Sequence, residues 1–152
     1  MVSPLFNLIP LDPRHLSTPF HLQTRWYVLT GSACVGKTTL LDALADQGFR
    51  TVPESARAYF ESEQAKGRTL AEIRAGDASL QRGILALQLS YERQVPAAQV
   101  VFLDRAVPDS LTFYRVFGLD PNEILPQCFY HRYTGVFILD RLPLHRDQTL
   151  GP

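Results

Sequence analysis

Between Gly31 and Thr39 the chain reads Gly31-Ser32-Ala33-Cys34-Val35-Gly36-Lys37-Thr38-Thr39. Two glycines bracketing four residues, followed at once by lysine and threonine, are what a loop needs to wrap phosphates. The glycines let backbone N–H groups converge on an anion, and the positive end of the following helix favours it there. Lys37 is placed to bridge β- and γ-phosphates, and the Thr38 hydroxyl to ligate Mg²⁺. Cys34 occupies a variable loop position, either as a thiol open to oxidation or simply as a small side chain.

Two further stretches carry charge where such chemistry needs it. Val100-Val101-Phe102-Leu103-Asp104 is an apolar run ending in a carboxylate, the Walker B pattern. At the C-terminal end of a parallel strand, Asp104 is positioned to hold Mg²⁺ directly or through water. The next residue is Arg105, where hydrolytic motors usually carry a water-activating glutamate. An arginine there can clamp an anionic or polar acceptor, or stabilise a transferred phosphoryl group; the alternative is a surface ion pair. Glu54, in Val52-Pro53-Glu54-Ser55-Ala56-Arg57, follows a short β-prone run. It is a candidate to take the proton of an attacking hydroxyl, or an acidic residue stabilising a helix start. Arg57, one helical turn on, is expected on the same side.

The elements that must hold these residues alternate. Trp26 to Thr30 reads as a strand and Lys37 to Gln47 as a helix, with Leu40, Leu41, Leu44 and Ala45 at helical spacing and Gly48 as its stop. Phe49 to Val52 is a second strand, and Pro53-Glu54 opens a helix. Gly67 to Asp77 reads as a loop with a turn of helix. Ser79 to Val95 is a long helix whose stripe is Leu80, Ile84, Leu87, Tyr91 and Val95. Val100 to Asp104 is a third strand. Pro108 to Phe117 and Pro121 to Arg132 read as helices, and Val136 to Asp140 as a fourth strand. Strands alternating with helices predict a parallel sheet covered on both faces.

Residues 1–24 stand apart, with prolines at positions 4, 10, 13 and 19. They read as an irregular, loosely packed extension, or an arm that folds on a partner. Residues 25–152 form the domain proper. Fifteen basic residues balance fifteen acidic ones in a chain of 152 residues, which argues against nucleic acid as the main partner and for a small anionic ligand. Two cysteines make no disulfide framework, and no apolar run is long enough to span a bilayer; the expectation is a cytoplasmic protein with no membrane partner.

Together TGSACVGKTTLLDALADQGF, TVPESAR, VVFLDRAVPDSLTFYRVFG and HRYTGVFIL resemble a bacterial AAA-domain-type ATP-binding family. That family is related to the nicotinamide riboside kinase domain and, more distantly, to deoxynucleoside and thymidylate kinases. The resemblance covers roughly residues 25–142. It implies a P-loop kinase-type three-layer α/β/α fold with sheet order 2-3-1-4-5. It also implies ATP and Mg²⁺ as cofactors and a small hydroxyl-bearing acceptor, nucleoside- or riboside-like. By that likeness Glu54 is the catalytic carboxylate, and Asp104 and Arg105 contact phosphates and acceptor, with Lys37 on the donor. Asp109, Tyr114 and Arg115 fall in a segment that lines the acceptor pocket. In such kinases an arginine-bearing lid, a helix and a fifth strand follow the fourth. Here Arg141 and Arg146 are the lid candidates, and the expectation is a C-terminally incomplete domain lacking its last strand. The alternatives are a non-catalytic ATP-binding regulatory module and, less favoured because of Arg105, an ATP-hydrolysing motor.

Overall fold

Trp26 to Gly31 alternates β-branched, aromatic and leucine side chains that pack on both faces of a sheet, and in the computed structural model this run is its second strand. The model describes residues 8–141. Its elements in chain order are α1 (Pro13–Leu16), β1 (Leu22–Gln23), β2 (Trp26–Gly31), α2 (Lys37–Asp46), β3 (Arg50–Val52), α3 (Ser55–Ala65), α4 (Leu70–Ala75), α5 (Asp77–Gln94), β4 (Val101–Asp104), α6 (Ser110–Val116), β5 (His131–Arg132) and β6 (Gly135–Leu139). The main sheet is wholly parallel with spatial order β3-β4-β2-β6. Numbered as the strands of this sheet alone, that is 2-3-1-4, the order the family resemblance implies for the first four strands. No further strand joins it among the described residues.

The two faces of the sheet are built differently. Trp26, Val52, Val101 and Leu103 form one buried cluster with Val95 from the end of α5, and Tyr91 and Tyr133 pack against it. Burying these side chains is the main favourable term in holding the helix to the sheet. Trp26, fully buried, still satisfies its indole by donating to the Pro96 carbonyl at 3.1 Å. The other face is aromatic: Tyr27 stacks on Phe102 at 5.3 Å between ring centres, and Phe49 meets Phe102 edge-on at 5.4 Å. A second core lies under the far end of α5, where Leu85, Val107, Tyr114, Ile124 and Cys128 pack together. Burial pushes the Cys128 thiol up to about 12, so it is a buried apolar filler here.

Four expectations change. Residues 70–75 form a six-residue helix where a loop with a single helical turn is expected, started by a capping box in which Thr69 and Glu72 satisfy each other's backbone N–H. The Thr-x-x-Glu signature was present in the sequence. Residues 121–132 are not one helix but 3-10 turns at Pro121–Glu123 and Leu125–Phe129, then β5. Pro126 lacks an N–H and obstructs the preceding turn, which breaks an α-helix there. Leu80 and Val95 of the expected stripe are buried, but between them the buried face of α5 runs through Gln81, Leu85, Gln88 and Glu92; Ile84, Leu87 and Tyr91 are only half-buried. Finally, part of the N-terminal stretch is tied down. Pro13 opens α1, where a missing N–H costs nothing. The Asp12 N–H donates to Asn122 at 2.8 Å, and β1 pairs in parallel with β5.

Candidate functional site

The phosphate loop leaves β2 at Gly31 and enters α2 at Lys37. Gly31 has φ +133°, and a Cβ there would sit 2.5 Å from the Leu139 carbonyl oxygen, so both the turn and the neighbouring strand require glycine. Gly36 caps α2 in the left-handed region at φ +89° with no side-chain capping bond. The first-turn N–H groups of α2 are therefore not occupied by a capping side chain, which suits an anion. Val35 is buried beneath the loop, while Ser32, Ala33, Cys34, Thr38 and Thr39 are exposed. Cys34 also takes a left-handed φ of 59°, a modest strain for a residue with a side chain.

Lys37 is almost wholly buried, and its Nζ donates to the Ser32 carbonyl at 2.7 Å and reaches the Gly31 carbonyl at 3.5 Å. A cavity of about 540 Å³ opens here, lined by the loop residues Ala33, Cys34, Gly36, Lys37, Thr38 and Thr39 and closed by Glu54, Asp104 and Arg105. Gly31 and Ser32 hold the lysine from behind, and Val35 is the loop's apolar anchor.

Asp104 ends β4 beside the loop, 4% exposed, with its Oδ1 lacking any hydrogen-bond partner among the described residues. Burial, reinforced by the Glu54 charge, pushes its carboxyl from 3.8 up to about 6, against the pull of Lys37 and Arg105. A buried, unpartnered carboxylate and an exposed threonine in the lining of one cavity are of the type a divalent cation with phosphate ligands needs, and Thr38 and Asp104 fit Mg²⁺ in that sense. Among the described residues no cluster of three or more His, Cys, Asp or Glu could hold a metal by itself.

The raised carboxyl has a stability consequence. A folded-state value above the unfolded one means the native chain binds the proton more readily. The associated stability is complete below about pH 4 and is lost as pH rises through about 6. Asp104→Asn removes the buried charge. In nucleotide-free and magnesium-free buffer the variant is expected to be more stable than the parent at pH 7–8, by up to about 3 kcal/mol. The gap should close towards pH 4. Urea unfolding across that range measures it, and a pH-independent difference would contradict the assignment.

Arg105 is the centre of the site. Its backbone stands at φ +65°, while its N–H donates to the Leu29 carbonyl at 2.9 Å and so keeps step with the sheet. A non-glycine residue held there costs about 1–2 kcal/mol, and the side chain shows what the backbone is aimed at. Its guanidinium donates to the Gly31 carbonyl at 2.9 Å and lies 3.5 Å from Glu54 and 3.7 Å from Asp109. It also rests over the Phe113 ring, 5.4 Å from the centroid. Glu54 sits at the N-cap of α3 but makes no capping bond; its carboxylate faces Arg105 rather than its own helix.

A second cavity of about 460 Å³ lies beyond Arg105, and Glu54 and Arg105 line both. Phe60, Leu80, Ile84, Phe113 and Phe117 give it apolar walls, and Gln81, Gln88, Asp109, Ser110 and Arg74 bring polar atoms. Asp109 is fixed by the Thr30 hydroxyl and by the Ala106 N–H at 2.8 Å. Of the other segment residues, Tyr114 belongs to the core, and Arg115 donates to the Ile9 carbonyl of the N-terminal stretch at 3.3 Å. Arg57 points away, pairing with Glu61 at 3.4 Å on the surface. Arg141 is exposed just beyond β6, and Arg146 lies outside the described residues. The glutamines of α5 and the phenylalanines of α6 were not singled out from sequence; two glutamines seven apart on a helix were the available signal.

No helix among the described residues is long and apolar enough to cross a membrane. No curated protein matches the chain. The family model described as AAA domain matches residues 26–149, a span running from the first residue of β2 past the phosphate loop, Glu54 and Asp104-Arg105. The chain belongs to this AAA domain family of P-loop nucleotide-binding proteins.

Proposed function

We propose that the domain is a kinase-type phosphotransferase that moves the γ-phosphoryl group of ATP to a small hydroxyl-bearing acceptor, nucleoside- or riboside-like. The observation that carries this is the pair of cavities meeting at Glu54 and Arg105. One is walled by the phosphate loop; the other is apolar with a few polar groups, the composition expected of a small-molecule pocket. A hydrolase has no need of the second.

In this reading the loop N–H groups and Lys37 hold the triphosphate; Thr38 and Asp104 would hold a Mg²⁺ ion, which would supply charge neutralisation. Glu54 accepts the acceptor's hydroxyl proton as the oxygen attacks phosphorus. Arg105, anchored to Gly31 on one side and Asp109 on the other, faces the charge that builds on the transferred group. Positioning and electrostatics supply most of the rate in such reactions.

Incubation of the protein with γ-labelled ATP, Mg²⁺ and a panel of nucleosides and ribosides tests it. Label is expected to pass to at least one acceptor, and this is expected to be faster than hydrolysis to free phosphate. ATP binding with no transfer to any member would overturn the kinase reading and leave an ATP-binding module in its place.

A further inference from the structure

The first turn of α3 carries polar groups that the chemistry above leaves idle. Glu54, at its N-cap, turns its carboxylate towards Arg105 and makes no capping bond. The leading N–H groups of an α-helix have no intrahelical partner, so at the start of this 11-residue helix they receive nothing from a capping side chain. Ser55 follows as the first helical residue. It is only 6% exposed, and its hydroxyl has no hydrogen-bond partner among the described residues. Unlike Oδ1 of Asp104, that hydroxyl is not sealed from accessible space. Glu54, Ser55 and Ala56 stand one after another in the wall of the second cavity, so the little of Ser55 that is open is open there.

The charges nearby decide what such a hydroxyl faces. Where the two cavities meet, Glu54, Asp104 and Asp109 outnumber Lys37 and Arg105. A phosphate or carboxylate on the acceptor would therefore meet an excess of like charge. An uncharged oxygen meets none. A serine hydroxyl donates one hydrogen bond and accepts others, and another hydroxyl matches it in both roles. Glu54 takes the reacting hydroxyl in the reading above, and Ser55 is the next residue on the same wall. A hydroxyl on the neighbouring carbon of the acceptor is the group it suits.

We propose that Ser55 is a specificity-determining residue of the acceptor site: its hydroxyl, with the uncapped first turn of α3 behind it, binds a second, non-reacting hydroxyl of the acceptor, so that the cavity takes a polyhydroxylated, sugar-type end in preference to its deoxy counterpart. The deoxy analogue leaves a buried polar group without a partner, and sites built to bond a substrate hydroxyl reject such analogues for that reason. This rests on the reading of the second cavity as the acceptor site.

The test is calorimetric titration of the full chain, in the presence of ADP and Mg²⁺, with adenosine, 2′-deoxyadenosine and 3′-deoxyadenosine, and with the corresponding uridine set. In at least one set, one deoxy member is expected to bind about tenfold more weakly than the parent nucleoside, or worse. Ser55→Ala is expected to reduce that preference to within about twofold, by weakening the parent nucleoside and sparing the deoxy one. Ser55→Thr keeps a hydroxyl and is expected to keep the preference. ADP affinity and the melting temperature, read in the same samples, separate lost selectivity from lost folding. Equal binding of every member of both sets, no binding by any, an undiminished preference in Ser55→Ala, or its loss from Ser55→Thr as well overturns the inference. Phosphoryl transfer without a hydroxyl preference sinks this inference alone; hydroxyl-selective binding without transfer sinks only the kinase reading.

Discussion

Replacing Lys37 with alanine is expected to lower ATP affinity by about two to three orders of magnitude. The side chain is the one cation built into the phosphate loop, and its Nζ stands on the loop carbonyls of Ser32 and Gly31, from which a triphosphate in the cavity is within reach of the same group. Charge-assisted hydrogen bonds contribute about 1.5–3 kcal/mol each, and two of them to phosphate oxygens, at the weaker end of that range, correspond to the stated loss. The fold should survive: Gly31 keeps its bond from Arg105, and Ser32 is exposed, so water can take the lysine's place there. Titration of ATP against parent and variant, with circular dichroism to check folding, measures it. An unchanged affinity in a folded variant would remove the loop from the site.

Glu54→Gln separates binding from chemistry. If Glu54 takes the acceptor's proton, the amide variant should turn over about 10²–10⁴-fold more slowly, with ATP affinity little altered because the loop is untouched. The change is isosteric and Glu54 makes no capping bond to its helix, so stability should hardly move. The expected loss is in kcat rather than KM, and a steady-state assay on the acceptor found by labelling shows which. Full turnover by the variant would leave Glu54 as no more than the partner of Arg105.

The parts of this site written as local patterns were legible in the sequence. A glycine pair with lysine and threonine, and an apolar run ending in Asp104, need only neighbouring residues to be recognised; the parallel sheet follows from the alternation of strands with helices, and its strand order came from the family resemblance. What the second cavity is made of was not legible in the same way. Its walls come from α3, α5 and α6, and Gln81 and Gln88 look like surface residues until the long helix is turned so that they face inward. A hydropathy stripe ranks Leu87 and Tyr91 above them, because periodicity weighs side chains by type and cannot see that Glu92 has four hydrogen-bonding partners waiting. The same holds for Asp109, whose partners are Thr30 near the end of β2 and Ala106 in the turn after the adjacent β4. Arg105 was visible as a residue, but its left-handed backbone, which aims it between the cavities, was not.

The carbonyl oxygen of Gly31 accepts from Arg105 at 2.9 Å and lies 3.5 Å from the Lys37 ammonium. One main-chain atom thus serves as a common post for the cation of each cavity. For protein engineering this means that the nucleotide half and the acceptor half are not interchangeable cassettes. Grafting a new acceptor segment that omits the arginine would loosen the lysine's footing as well, so a transplant has to carry Arg105, its twisted backbone and the glycine it leans on as one piece.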